Sequence, residues 1–114
     1  MNFEQGLLLR AFVGEADRQQ GEPLYKWLLD QAHEAGLAGA TVLRGMEGYG
    51  ADGQLHTARV LRLSTDLPLV VEFVDSEEKI NAFLKRVDSV MDKGVLTLEN
   101  IRYRRCADGS ARTA

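Results

Sequence analysis

Residues Leu69-Val70-Val71-Glu72-Phe73-Val74-Asp75-Ser76-Glu77-Glu78-Lys79-Ile80 hold a strand and the start of a helix within one short run. Leu69–Val74 is apolar and β-branched, which suits a buried strand. Asp75-Ser76-Glu77-Glu78 then reads as a helix start, with Asp75 as N-cap and Glu78 completing a capping box. Ile80, Phe83, Leu84, Val87 and Met91 recur at helical spacing along one face, and Lys93-Gly94 is the expected stop.

Working outward, Leu7–Val13 is a second strand, apolar on both faces except at Arg10, and therefore central. Gly14–Gly21 reads as a polar loop. Pro23 is suited to open a helix whose face is Leu24, Leu28, Ala32 and Ala35, with Gly36 as its stop. Gly39–Glu47 contains another strand. Gly45, Gly48 and Gly50 lead into an exposed loop at 51–54, and His56–Leu63 is part strand. Thr65-Asp66-Leu67-Pro68 is a turn, and a last strand is expected over Leu98–Arg105.

The order is β-α-β-β-α-β. This is the α+β, ferredoxin-like arrangement: a four-stranded antiparallel sheet with two helices on one face. The other face is left bare. With Leu8, Phe12, Val70 and Val74 upon it, that face should be covered by assembly of subunits.

The chain has 114 residues and a formal net charge of −3. That length suits one domain, expected over 1–106, followed by a small polar tail at 107–114 that should be mobile. The acidic balance argues against a nucleic-acid partner. One cysteine, Cys106, and the lack of a signal or a long apolar run fit a cytoplasmic setting.

Two groups of residues suggest a ligand site. Arg44-Gly45-Met46-Glu47-Gly48-Tyr49-Gly50 could bring backbone amides onto an anion, or could simply be a tight exit from a strand. Arg102 and Arg104, alternating in a strand, would share a face and suit a phosphate or carboxylate, or a solvated edge. Arg44, Arg59 and His56 are secondary candidates. His33, His56 and Cys106 do not form a spaced metal-ligand set. Cys106 has no histidine nearby in sequence to activate it. Glu72 should pair with Arg10 or Arg62. No Walker-type loop, dinucleotide glycine fingerprint or serine elbow is present.

Gly21-Glu22-Pro23-Leu24-Tyr25, Gly36 through Gly45, Glu47-Gly48-Tyr49-Gly50, His56-Thr57-Ala58-Arg59, Asp66-Leu67-Pro68 and Glu78-Lys79-Ile80 together resemble the bacterial family called domain of unknown function 190. The resemblance spans nearly the whole domain. That family is in turn similar to the PII signalling proteins, ferredoxin-like homotrimers that bind adenine nucleotides in clefts between subunits. Gly48-Tyr49-Gly50 resembles the turn at the base of their mobile loop, and Arg102 and Arg104 resemble the arginines of their last strand. Ala51 and Asp52 depart from the PII pattern, and no modifiable loop tyrosine is evident.

The resemblance implies a PII-like homotrimer that binds a small anionic ligand, an adenine nucleotide, at Gly48, Tyr49, Gly50, His56, Arg59, Arg102 and Arg104. It implies signalling through the loop at 51–57 to a partner protein such as a membrane channel or transporter. No cofactor is required, no metal site is expected, and the protein is read as a non-enzyme. The alternatives are a structural adaptor with no ligand, a metal-binding trimer of the CutA type, and an enzyme using His56 or Glu47 for proton transfer.

Overall fold

The computed structural model describes residues 2–49, 55–57 and 66–106. Its elements run β1 (Glu4–Gly14), β2 (Arg18–Gln19), β3 (Glu22–Pro23), α1 (Leu24–Glu34), β4 (Gly39–Arg44), β5 (Glu47–Gly48), β6 (His56–Thr57), β7 (Pro68–Asp75), α2 (Glu77–Val87) and β8 (Val95–Tyr103). The main sheet is antiparallel in the order β4-β7-β1-β8, the ferredoxin-like topology. The expected tail at 107–114 and most of the strand at 56–63 lie outside the described residues.

Period-two alternation divides the sheet into two faces. Leu7, Leu9, Ala11 and Val13 of β1 and Leu69, Val71 and Phe73 of β7 are buried beneath the helices. From the helices, Leu24, Leu28 and Ala32 of α1 and Ile80, Phe83 and Val87 of α2 close the core. Phe73 and Phe83 meet with ring centroids 4.8 Å apart and planes tilted by 46°. Offset, tilted ring pairs of this kind are favoured by the ring quadrupole.

The opposite face carries Leu8, Phe12, Val70 and Val74, all half-buried or exposed, with Leu43 and Val95 exposed beside them. At its centre Arg10 donates to Glu72 at 2.8 Å and also pairs with Glu99. Arg10 and Glu72 are direct cross-strand partners, so the sheet register itself places the pair. The hydrogen bond to Glu72 is the main cause holding the Arg10 guanidinium above its ordinary pKa. Of the two partners expected for Glu72, the structure places Arg10 on it.

Several boundaries differ from the sequence reading. The polar loop at 14–21 contains a small hairpin, β2 with β3, turned by Gln20 and Gly21 at φ 51° and 83°. Two consecutive positive φ values match the twist of a two-residue hairpin. Pro23 stands one position before α1 instead of opening it. The first helical amide, Leu24, donates to the Asp17 carbonyl at 2.7 Å. Gly36 (φ 71°) does end α1: Gly36 donates to the His33 carbonyl and Leu37 to that of Ala32, a Schellman pair.

At α2 the N-cap is Ser76, whose Oγ accepts from the Lys79 amide at 3.2 Å, so the Asp75–Glu78 capping box does not form. Asp75 is 5% exposed and serves tertiary structure. Its carboxylate accepts from the Ala38 amide (2.8 Å) and the Ser76 amide (2.6 Å), tying the turn after α1 to the start of α2. The helix stops at Val87, not at Lys93-Gly94. Gly94 opens β8, which begins three residues earlier than expected and ends at Tyr103.

Gly94 combines φ 81° with a close approach, since a Cβ there would lie 2.2 Å from the Phe12 carbonyl oxygen. Gly21 also has positive φ, but open space surrounds it. Gly94→Ala should therefore lower stability by more than about 2 kcal/mol, and Gly21→Ala by only about 1 kcal/mol, because only the first adds a backbone clash to the left-handed cost. Urea denaturation of the two variants checks the difference.

Candidate functional site

An open cavity of about 720 Å³ lies where the C-terminal end of β1, the start of β7 and the approach to β8 meet the exit of β4. One wall is apolar: Phe12, Val13, Pro68, Leu69 and Val70. Another is backbone-rich, with Gly14, Gly45, Gly48 and Gly94. The Gly45 amide donates to the Pro68 carbonyl at 2.7 Å, which fixes the chain as it leaves β4. A Cβ on Gly45 would meet Pro68 Cγ at 3.0 Å, so a side chain here would press on the cavity wall.

The loop after β1 forms the rim. Asp17 accepts from the Gly14 amide at 2.8 Å, and Asp66 accepts from the Ala16 amide at 3.0 Å. Glu15 donates its amide to the Leu67 carbonyl at 2.8 Å, and its carboxylate pairs with Arg44. The Arg44 charge is thus engaged in holding the rim.

Beyond the rim, β5 and β6 form a two-residue antiparallel ribbon, with Glu47 opposite Thr57 and Gly48 opposite His56. The structure therefore brings the Gly48 and His56 backbones together, although seven residues separate them in the chain. Tyr49, 73% exposed, lines the cavity with Gly48. Gly50, Arg59 and residues 51–54 of the proposed loop lie outside the described residues.

The arginines are elsewhere. Arg102 pairs in register with Gln5, whereas the cavity begins at the Phe12–Gly14 end of the same strand. From Gln5 to Gly14 is about 30 Å at about 3.3 Å per residue. Arg102 lies over the Phe3 ring at 5.8 Å, a cation–π contact. Arg104 follows the end of β8, so the alternating strand geometry expected for Arg102 and Arg104 is not formed. Its Nη2 lies 3.6 Å from Cys106 Sγ.

Within one chain, then, Gly48, Tyr49 and His56 cluster at one end of the sheet and the arginines at the other. Sequence reasoning missed Phe12, Pro68 and Gly94 as cavity residues. It also missed that, among the described residues, Asp17, Glu47, Asp66, Asp92 and Lys93 line the cavity. Among the described residues no group of three or more His, Cys, Asp or Glu is placed to hold a metal ion. Nor is any helix among them long and apolar enough to cross a membrane.

A family model described as "Uncharacterized ACR", domain of unknown function 190, matches residues 6–103. The chain belongs to this family. Relatives of the same kind include a UPF0166 protein of Aquifex aeolicus (strain VF5), 43% identical over 94 residues, covering 82% of this chain and 89% of that one. A UPF0166 protein of Methanocaldococcus jannaschii is 35% identical over 91 residues, covering 80% and 83%.

Among solved structures, CPII from Thiomonas intermedia K12, described as a nitrogen regulatory PII-like protein bound to ADP, AMP and bicarbonate, superposes with a TM-score of 0.68 at 16% identity. The match covers 89% of this chain and 90% of that one. Its apo form superposes with a TM-score of 0.59 at 14% identity, covering 89% and 94%. The domain of unknown function 190 chain thus has a PII-like ferredoxin fold, as its sequence implied.

The end of β8 that carries the arginines is anchored by Tyr103. Its ring crosses Gly6, where a Cβ would come within 2.6 Å of the ring, and its hydroxyl lies 3.4 Å from Asp75 Oδ1. Partial burial, followed by the Asp75 and Glu4 carboxylates, pushes the phenol above the ordinary tyrosine value. Folding favours the neutral phenol. Its contribution is fully present below pH of about 10, the unfolded tyrosine value, and is lost as pH rises through the higher folded value. In an alkaline titration followed at 295 nm, Tyr103→Phe should remove the component that ionises last.

Proposed function

We propose that this chain is a PII-like, nucleotide-binding regulatory protein that acts by binding, without turnover. The observation that carries the reading is the cavity of about 720 Å³, with an apolar wall on one side and glycine backbone on the other. That volume falls within the range of small-molecule and cofactor sites. The apolar wall of Phe12, Val13, Pro68, Leu69 and Val70 suits a flat heteroaromatic base. The backbone at Gly48 and Tyr49 suits polar groups next to it. The adenine nucleotides held by the structurally similar CPII support this choice of ligand class.

Among the described residues no arginine lines the cavity, and Arg102 lies at the opposite end of the sheet in the same chain. A closed ring in which each subunit's basic end meets the next subunit's cavity would complete the site. The bare face bearing Leu8, Phe12, Val70 and Val74 supports such an assembly, and a homotrimer is the form the PII resemblance implies. Ligand contact at Gly48 and Tyr49 would act on the β5–β6 ribbon and through it on the expected signalling loop at 51–57. Two loop states with different ligand affinities would present different surfaces to a partner protein, such as a membrane channel or transporter, in the cytoplasm.

Thermal unfolding against AMP, ADP, ATP, cyclic nucleotides, 2-oxoglutarate and divalent metals tests this. An adenine nucleotide at about one hundred times its Kd should add roughly 2.7 kcal/mol, a rise of several degrees in Tm. Arg102→Ala with Arg104→Ala should weaken that nucleotide at least about tenfold if the neighbour's arginines reach the phosphates. The nucleotide should be recovered chemically intact. No rise with any nucleotide would overturn the reading, and a rise with metal alone would favour a metal-binding trimer.

A further inference from the structure

Resting on the assembly in that reading, we infer that a second copy of this chain seats on the bare sheet face, and that the ion cluster of Arg10, Glu72 and Glu99 fixes the position in which it seats. The strand registers arrange that face in rows. Leu43, Val70, Phe12 and Val95 are successive cross-strand partners and form one apolar row across all four strands. Leu43 is 49% exposed and Val95 41%. The next row is polar throughout: Thr41, Glu72, Arg10 and Thr97. Glu99 stands one row further on, opposite Leu8, and reaches back to Arg10 on the diagonal.

Two observations favour a second copy as the occupant. The first is area. Four strands about 4.8 Å apart, paired over Leu7–Gly14 at about 3.3 Å per residue, span roughly 500 Å² in projection. Side-chain relief brings this toward the roughly 800 Å² per partner of a standard stable interface. The second is continuity with the cavity. Phe12 and Val70 line the cavity, while Leu43 and Val95 carry the same row beyond it. A neighbour seated on the row therefore comes to the cavity mouth, as completion of the site by the Arg102 of another copy requires.

Apolar contact is non-directional, so the row alone would accept a neighbour at several offsets. The cluster is directional. On an open surface such ion pairs contribute little. Under a covering chain, Arg10 and its two carboxylates lose water, and the seat must keep them hydrogen-bonded. Arg10 supplies a fork for this: Nε donates to Glu72 at 2.8 Å and Nη1 donates to Glu99. Both carboxylates are thus tied within the chain before a neighbour arrives. A neighbour shifted along the strands would press apolar side chains onto these groups, which is costly. A polar group set in an apolar seam selects register between paired helices for the same reason.

Sedimentation velocity of the intact chain at micromolar concentrations tests this. The native chain should run as one assembled species. Leu43→Glu, at an exposed position of an edge strand and outside the cavity lining, should release monomer. Arg10→Met removes the cation that both carboxylates share, and should raise the dissociation constant at least about a hundredfold. Replacing all three, Arg10→Met with Glu72→Leu and Glu99→Leu, should restore association but spread it over several species. A native monomer, or an assembly that Leu43→Glu leaves undisturbed, would overturn the inference. So would an Arg10→Met chain that is folded by circular dichroism and associates as the native one does. If Arg10→Met does not fold, the triple variant decides: one native-like species from it would overturn the role of the cluster. A native monomer that nucleotides still stabilise would sink this inference and leave the nucleotide reading standing; an assembled chain that no nucleotide stabilises would do the reverse.

Discussion

The backbone ladder of β1 is the constraint on which the rest of the structure depends. This strand is hydrogen-bonded on both sides, to β7 from Leu7 to Gly14 and to β8 from Glu4 to Phe12. With both edges satisfied, it cannot slip by one residue without moving Leu7, Leu9, Ala11 and Val13 out of the core and Leu8, Arg10 and Phe12 into it. The same register sets Arg10 opposite Glu72 and brings Gly94 against the Phe12 carbonyl. It also lays Tyr103 across Gly6. Each of these contacts is possible at one register only, so the packing and the pairing reinforce each other.

That ladder also explains why the candidate site is divided. An antiparallel strand returns each end of β8 to the opposite end of β1. Gly94 arrives beside Phe12, at the cavity, and Arg102 beside Gln5, far from it. Residues that would serve one anion are therefore held at opposite ends of one chain by a rigid sheet. In the assembly proposed above, a second copy would reunite them. The helices contribute by covering one face alone, which leaves Phe12 and Val70 able to belong both to the bare face and to the cavity wall.

The rim shows how loop chemistry sets local charge. Asp17 and Asp66 serve there as hydrogen-bond acceptors for the backbone amides of Gly14 and Ala16. Both side chains also line the cavity. Asp75 plays the same part at the other end of the sheet, where it collects the amides of Ala38 and Ser76. There it is buried, so its charge is spent within the fold. In both places a short acidic side chain closes a turn that backbone alone leaves open.

The local pattern of residues was enough to determine the element order, the faces of α1 and α2, the end of α1 at Gly36 and the central place of β1. All of these follow from periodicities and caps that act over a few residues. The same pattern named Gly48 and Tyr49 as ligand candidates, which line the cavity, and offered Arg10 or Arg62 as the partner of Glu72, of which Arg10 is paired with it. It misplaced the cap of α2 because Asp75 and Ser76 are both good N-caps, and only the tertiary demand of the Ala38 amide decides between them. It ran β8 on to Arg105 because nothing local marks Tyr103 as the last paired residue; the length of β1 does that. The separation of Arg102 from Gly48 and the gathering of acidic side chains at the cavity rim were likewise invisible in the chain order. Both depend on long-range pairing, which brings Asp17, Asp66 and Asp92 to one rim and carries Arg102 to the far end of the sheet.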